Sequence, residues 1–369
     1  MLRRSRPFPM TIVQATRDYE AWLGKHIPIL KADLNAKHQH MASDPFSFFR
    51  ATFYRWMQLW PEHCQDCGDA PGVLGVGDLH VENYGTWRDT EGRLIWGIND
   101  FDEAFPLPYT IDLVRLTTSA WLAIELEDLA IAPADAAVAV LDGYTTGLNA
   151  GGLPFVLSEE HRWLRDAVTS KLRDPTIFWE KLSALPPLKR VPEGVLSLLR
   201  NALPEKNLAF RVAHRQAGLG SLGRERYVAL ADWRGGKIAR EAKALLASAC
   251  AWAGLRPSDA HIYYADIVGR SARAADPFLS LKGAWILRRL SPFCSRIELS
   301  ALSRSRDEEK LLWGMGRELA NVHLGTRGAA PRILRDLERR KAKWLRRAAE
   351  AMTAATLRDW KAWKKAGAR

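Results

Sequence analysis

The sequence predicts an α+β fold in which a β-rich segment is set between helical ones, and three observations carry this. Apolar residues recur at helical spacing over roughly residues 11–60 and 109–202 and again from about Asp307. Between Ala209 and Leu290 the pattern changes to short β-branched and aromatic runs broken by glycines. A smaller pair of strand-like runs lies between residues 73 and 100. A chain of 369 residues can bury one large or two ordinary domains. The expected division is therefore a helical lobe (1–205), a β-rich lobe (206–300) and helices that return to the first lobe (301–369).

Composition narrows the class. With 47% hydrophobic and 26% charged residues the chain is globular, which excludes disordered and fibrous proteins. No apolar run approaches the roughly 18 residues of a membrane helix, and MLRRSRPFPM lacks the apolar segment of a secretory signal. A cytoplasmic protein without a membrane span is expected. Four cysteines make no disulfide framework; Cys64-x-x-Cys67, beside His63, is a lone pair open to a zinc or redox reading and to an ordinary loop reading. The net charge is +12, and residues 331–369 hold 13 Lys/Arg against 4 Asp/Glu, so most of the excess sits there. Ile333, Leu334, Leu337, Trp344, Leu345 and Met352 recur among those basic residues at helical spacings. Two readings stand: an amphipathic helix packed on the body, or a site for nucleic acid or another anionic surface.

Taken in order, the first helical block ends in the aromatic-rich DPFSFFRATFYRWMQLW, which reads as core. The next stretch, GVLGVGDLHVENYG, crowds Asp78, His80, Glu82 and Asn83 behind a short apolar strand. LIWGINDFDEA then delivers Asp100 and Asp102 from the end of a second strand. Oxygen donors gathered at strand ends suit a hard cation held against phosphates, a structural Ca²⁺ site, or an acid/base pair.

The β-rich segment reads AFRVAHRQ, AGLGSLG, RERYVALADW, a Gly235-Gly236 turn, KIAREA, HIYYADIV, FLSL and AWILRRL. Gly218, Gly220 and Gly223, with Ser221 between them, spell G-x-G-x-x-G. A dinucleotide-binding motif would open a helix at this point. Here a strand follows instead, and strand, glycine loop, strand and third strand is how protein kinases cover nucleotide phosphates. An ordinary glycine-rich hairpin is the alternative. Phosphoryl transfer also needs a carboxylate to orient the attacking hydroxyl and oxygen ligands for Mg²⁺, which Asp78, Asn83 and Asp100 supply in the right order.

GDLHVEN resembles the G-D-x-H-x-x-N loop of aminoglycoside and choline kinases, INDFDEA resembles their I-D-F-x-x-A metal motif, and YTIDLVRL resembles the helix that follows in them. Together with KHQHMASDPFSFFR and VAHRQAGLGSLGRERYVAL, the chain resembles over roughly residues 37–325 a bacterial family of uncharacterised proteins known as domain of unknown function 2252. The resemblance implies a bilobal kinase-like fold that takes ATP and Mg²⁺. Asp78 is then catalytic; Gly218, Gly220, Ser221, Gly223 and Arg240 bind nucleotide; Asn83 and Asp100 hold the metal; and His80 and Asp112 support the catalytic loop. Asp102 is either a further metal ligand or a solvated carboxylate at the cleft edge.

Two departures from ordinary kinases carry expectations of their own. The glycine loop follows the catalytic loop instead of preceding it, which a circular permutation explains: the helix EKLLWGMGRELANVHLGT would end, at His323, beside the strand entering Asp78. The third strand would be followed by a helix from about Ala244. The family's Lys-Glu-Ala at the end of that strand falls on Arg240-Glu241-Ala242, so Arg240 is assigned to the phosphates, while Lys237 and Lys243 fall on the opposite face. No A-P-E segment follows INDFDEA, so a small-molecule hydroxyl is the expected acceptor. The alternatives are a nucleotide-binding pseudokinase, a kinase-like protein that transfers AMP, and a nucleic-acid binder acting through the basic segment.

Overall fold

The computed structural model describes residues 10–126, 128–157, 161–169, 174–254, 260–294 and 307–367. Four helices come first: α1 (Ile12–Gly24), α2 (Lys31–Ser43), α3 (Pro45–Ala51) and α4 (Phe53–His63). Thr11 caps α1 by accepting from the Gln14 amide, and Asp44 caps α3 from just before Pro45, as a short oxygen acceptor followed by a first-turn proline favours. Phe46, Phe49, Phe53, Trp56 and Trp60 of the aromatic-rich stretch are buried in the main core. Cys64 and Cys67 are both buried with free thiols, and burial pushes both thiols up.

Strands β1 (Gly72–Gly75), β2 (Tyr84–Arg88), β3 (Leu94–Ile98) and β4 (Phe105–Pro108) follow. β1 pairs antiparallel with β4, and β2 with β3. The connections Val76–Asn83 and Asn99–Ala104 are thereby pinned at both ends, and these are the two carboxylate-bearing loops. Behind them lies α5 (Tyr109–Glu125), buried along almost its whole length. α6 (Pro133–Asn149), β5 (Phe155–Val156), which extends β3, and α7 (Arg162–Thr169) come next.

Helices α8 (Pro175–Ser183) and α9 (Glu193–Ala202) depart from the expected division. They pack on the β-rich sheet, not on the preceding helices. The sheet comprises β6 (Arg211–His214), β7 (Arg226–Trp233), β8 (Gly236–Ala244), β9 (Ser280–Lys282) and β10 (Trp285–Leu290), antiparallel in the order β6-β7-β8-β10-β9. Phe178 and Leu182 of α8 meet Ala213, Val228, Leu230 and Ala239 on one face. Val195 and Leu199 of α9 meet Val212, Ala229, Ala242 and Leu287 on the other. Their apolar faces match the sheet's period of two, so both helices join the β-rich lobe. Strand β8 runs to Ala244, and the expected helix there is only α10 (Ala249–Trp252), followed by α11 (Tyr264–Arg270).

α12 (Glu308–His323) lies against α6 so closely that a Cβ on Gly143 would sit 1.9 Å from the Trp313 carbonyl oxygen. A Cβ on Gly316 would sit 2.1 Å from that of Val140. These glycines let the two backbones touch. The basic segment divides into α13 (Ala329–Arg339) and α14 (Trp344–Gly367). Ile333, Leu345 and Met352 are buried in the main core, and α14 packs on α5 and α4 with its charged face outward. Among the described residues, no helix is long and apolar enough to cross a membrane.

Candidate functional site

The loop after β1 is built on Asp112. Its buried carboxylate accepts the amides of Val76 (2.7 Å) and Gly77 (2.9 Å) and the Nε2–H of His323 (2.9 Å). A carboxylate only accepts, so Nε2 of His323 carries a proton, and the other ring nitrogen, Nδ1, lies 2.7 Å from the Tyr144 hydroxyl. The end of α12 thus lies beside the strand entering Asp78. Gly77 has a positive φ of 80°, and a Cβ there would strike the Glu103 carbonyl oxygen at 2.3 Å, so the turn requires glycine. His80 shapes the same loop, its Nδ1 accepting the Glu82 amide at 3.2 Å. Asn83 donates to the Asp78 carbonyl oxygen at 2.7 Å, which ties the ends of the loop together.

Asp78 is held by Arg115 of α5, fully buried, through Nε at 3.1 Å and a shorter contact from Nη2. The guanidinium also donates to the Phe49 carbonyl and lies 4.0 Å from that ring's centre. Burial pushes the Asp78 carboxyl above its ordinary value, while Arg115 pulls it down. A carboxylate so placed is oriented, yet keeps a basicity suited to taking a proton.

Asp100 and Asp102 lie across the pocket from Asp78 and share the ammonium of Lys243. Its Nζ is 3.5 Å from Asp100 Oδ1 and makes a closer contact with Asp102 Oδ2. Desolvation opposes ionisation of Asp100, but Lys243, a hydrogen bond with Asp102, and the charges of Arg288 and Arg226 together outweigh it and hold that carboxyl well below its ordinary value. Burial and the charge of Asp100 push Asp102 the other way. The Asp102 side chain is largely enclosed, 10% exposed, and so has little of the solvent that the edge-carboxylate reading gives it. Its Oδ1 is buried without a hydrogen-bond partner. An orphaned carboxylate oxygen beside a second carboxylate and an amide is a hard-oxygen donor set that fits Mg²⁺. Among the described residues, no group of three or more His, Cys, Asp or Glu could hold a metal ion. Two carboxylates completed by phosphate oxygens and water are nonetheless the usual Mg²⁺ arrangement.

The glycine loop comes down directly on this loop pair. Gly218 and Gly223 have φ of 74° and 97°, and Leu219–Ser221 form a 3₁₀ turn between them. A Cβ on Gly220 would lie 3.2 Å from both Asp78 Oδ2 and the Arg50 carbonyl oxygen. The buried Lys37 of α2 donates to the Gly220 carbonyl at 3.1 Å, and Arg226 donates to Ser221 Oγ at 2.9 Å. Burial lowers the Lys37 ammonium to about 8. Asp78, His80, Asn83, Asp100, Asp102, Gly218, Gly220 and Ser221 therefore line one pocket, which Gly223 and Asp112 support from outside.

A second, larger cavity of about 340 Å³ opens from the first and shares Asn83, Asp100 and Gly218 with it. Its walls include Phe178, Tyr264 and Leu279 and the guanidiniums of Arg215, Arg226, Arg273, Arg288 and Arg289. Arg240 is not among them. It donates through Nε to the Ala202 carbonyl at 2.9 Å on the α9 side of the sheet and stacks on Phe278. Arg240, assigned to the phosphates from the sequence, thus stands away from both cavities, whereas Lys243 is the residue of this strand that meets Asp100 and Asp102. Strand alternation does separate the two residues, but the cleft lies on Lys243's side, because α9 covers the other face.

Sequence reasoning missed Arg115, Lys37, Arg224, Arg226 and Arg288. For Arg115 a signal existed: a lone guanidinium within the apolar YTIDLVRLTTSAWLAIEL must be buried, and a buried cation needs an acid. Arg224 pairs with the buried Glu103 (3.2 Å), whose carboxylate also accepts the Ala249 amide at 2.6 Å and so joins α10 to the metal loop.

No curated protein and no solved structure matches the chain. The glycine loop and Lys243 lie outside the stretch that a family model matches. Over residues 30–153, which carry Asp78, Asn83, Asp100, Asp102 and Asp112, the chain matches a family described as uncharacterized protein conserved in bacteria (DUF2252).

Proposed function

We propose that this chain is a kinase-like phosphotransferase that moves a phosphoryl group from ATP to the hydroxyl of a small molecule. One observation carries the reading: Asp78, Asn83 and Asp100 from one part of the chain and the glycine loop from another gather around a single pocket, and Lys243 of the sheet reaches Asp100 and Asp102 from behind it. Separate structural duties would not require them to meet. In this reading Asp78, oriented by Arg115, accepts the proton of the attacking hydroxyl in the smaller pocket. Lys243, on the third strand of the sheet, contacts phosphate oxygens. Asp100, Asp102 and Asn83 would hold Mg²⁺, which supplies neutralisation of phosphate charge. The larger cavity has the volume of a ligand site and takes the part of the nucleotide that extends beyond the smaller pocket. The contact between His323 and Asp112 supports a circularly permuted arrangement, since α12 ends where a chain of the ordinary order would continue into the catalytic loop.

The test is a thermal-shift screen of nucleotides with and without Mg²⁺, followed by product analysis with a metabolite pool. Mg²⁺-dependent stabilisation by ATP is expected, with release of ADP and an adduct heavier by about 80 Da, the mass of a phosphoryl group. An adduct near 329 Da would mean AMP transfer instead. Binding without turnover would make the chain a nucleotide-binding pseudoenzyme.

A further inference from the structure

The walls of the larger cavity carry more positive charge than the reading above uses. Glu241 of β8 is completely buried, and three guanidiniums converge on it: Arg215 at 2.7 Å, Arg226 at 3.0 Å and Arg288 at 2.6 Å. The carboxylate lies beneath the cavity surface while all three arginines line it. Burial opposes its ionisation, but the arginines hold it well below its ordinary value. One negative charge against three positive ones leaves this group about two in excess, and with Glu82, Asp100 and Asp276 set against Arg273 and Arg289 the whole lining keeps an excess of about one. The group is fixed, because Glu241 faces Arg288 across β8 and β10 and Arg226 faces Lys243 across β7 and β8. Arg226 also reaches Ser221, so the group touches the glycine loop at one side and the Asp100 pocket at the other. Guanidinium forks match phosphate oxygens in pairs, and a preset row of them suits a chain of phosphates better than one charge.

We propose that Arg215, Arg226 and Arg288 form a polyphosphate platform on the cleft face of the sheet, which binds the phosphate chain of the ligand independently of any base. The proposal rests on the phosphotransferase reading only for the ligand being a nucleotide. Its test is calorimetric titration of the full chain with inorganic tripolyphosphate in the presence of Mg²⁺. The wild type should bind, and Arg288→Gln and Arg215→Gln should each weaken binding by about tenfold to a hundredfold, the loss of a charge-assisted contact. Arg288→Lys should recover part of the loss, and Arg240→Gln, on the outer face, should bind as wild type does. Arg215 lies outside the strands, so its variant keeps the test decisive if Arg288→Gln melts early. Absence of binding to the wild type, or equal binding by both Gln variants, overturns the platform. The two readings fail separately. Arginine-dependent tripolyphosphate binding without ATP turnover leaves the platform standing and ends the phosphotransferase. Turnover with an unchanged KM for ATP in both Gln variants does the reverse. ATP displacing tripolyphosphate assigns the platform to the nucleotide, and failure to displace it assigns it to inorganic polyphosphate.

Discussion

The cleft has two unlike walls. On one, contributed by the loops after β1 and β3, stand Asp78, Asp100 and Asp102; on the other, contributed by the sheet and the residue after β6, stand Arg215, Arg226 and Arg288, with Lys243 of the same sheet behind Asp100 and Asp102. The acidic wall is neutralised by single cations: Arg115 behind it for Asp78, and Lys243, reaching over from the sheet, shared by Asp100 and Asp102. The basic wall shares one buried carboxylate among three cations. The difference teaches that burial alone does not determine what a wall will bind. A wall that leaves a carboxylate oxygen unpartnered is ready for a cation, and one with surplus guanidinium charge is ready for an anion. A metal-bound polyphosphate satisfies both at once.

The largest way to break this comparison is on the acidic wall. Asp78→Asn should lower turnover by about 10²–10⁴-fold, the usual contribution of a positioned base, and keep Mg²⁺-dependent stabilisation by ATP. Asp100→Asn should lose that stabilisation. Thermal shift and turnover on the same two proteins check it, and equal loss of binding in both would show that the wall is not divided between base and metal loop.

Next in size is Lys243, a cation that bridges the walls. Lys243→Ala should weaken ATP binding by about 1.5–3 kcal/mol and lower the melting temperature, because Asp102 is left buried with only Arg224, 3.8 Å away. Undiminished ATP affinity in a titration would remove Lys243 from the phosphates.

A third experiment concerns what supports the acidic wall. Glu318 of α12 is fully buried, accepts from the Ile98 amide just before Asn99 and Asp100, and is pushed by burial to about 7. Between the unfolded carboxyl's ordinary value near 4.5 and about 7, the native state keeps a proton that the unfolded chain has released. Stability from this group is therefore full below about 4.5, falls by on the order of 3 kcal/mol as pH rises from there to about 7, and is gone above it. Denaturant midpoints from pH 4 to 8 should show Glu318→Gln gaining on the wild type as pH rises. A constant difference across that range would mean that Glu318 ionises in the native state as it does in the unfolded chain.

The smallest effect belongs to Arg240. Arg240→Ala should cost about 1 kcal/mol of stability, from its bond to Ala202 and its stacking on Phe278, and leave ATP affinity unchanged. A specific loss of affinity would restore the original assignment.

What was legible in the sequence follows from what is local. The spacing of Asp78 and Asn83, the strand ending in Asp100, and the glycine loop between β6 and β7 are set by neighbours in the chain, and short-range pattern reads them. Strand parity correctly separated Arg240 from Lys243. Which side of the sheet faces the cleft depends on where α9 packs, 40 residues away in the chain, and no alternation encodes that. The membership of α8 and α9 in the β-rich lobe was hidden for the same reason: an amphipathic helix states that it has a partner, not which. Lys37 and the arginines around Glu241 were equally out of reach, since each draws its meaning from residues brought alongside only by the completed sheet.

The hydrogen bond between Asp112 and His323 spans 211 positions, and that distance bears on how the protein is made. The acidic wall is synthesised early, yet the carboxylate that shapes its entry strand waits for α12, and α5 behind it waits for α14. A nascent chain therefore exposes its future site before it can close it. Contacts of such separation slow folding, and an unfinished core of this size is a substrate for chaperones during synthesis. Release of a partly made chain after α11 should yield an aggregating species, not a working half.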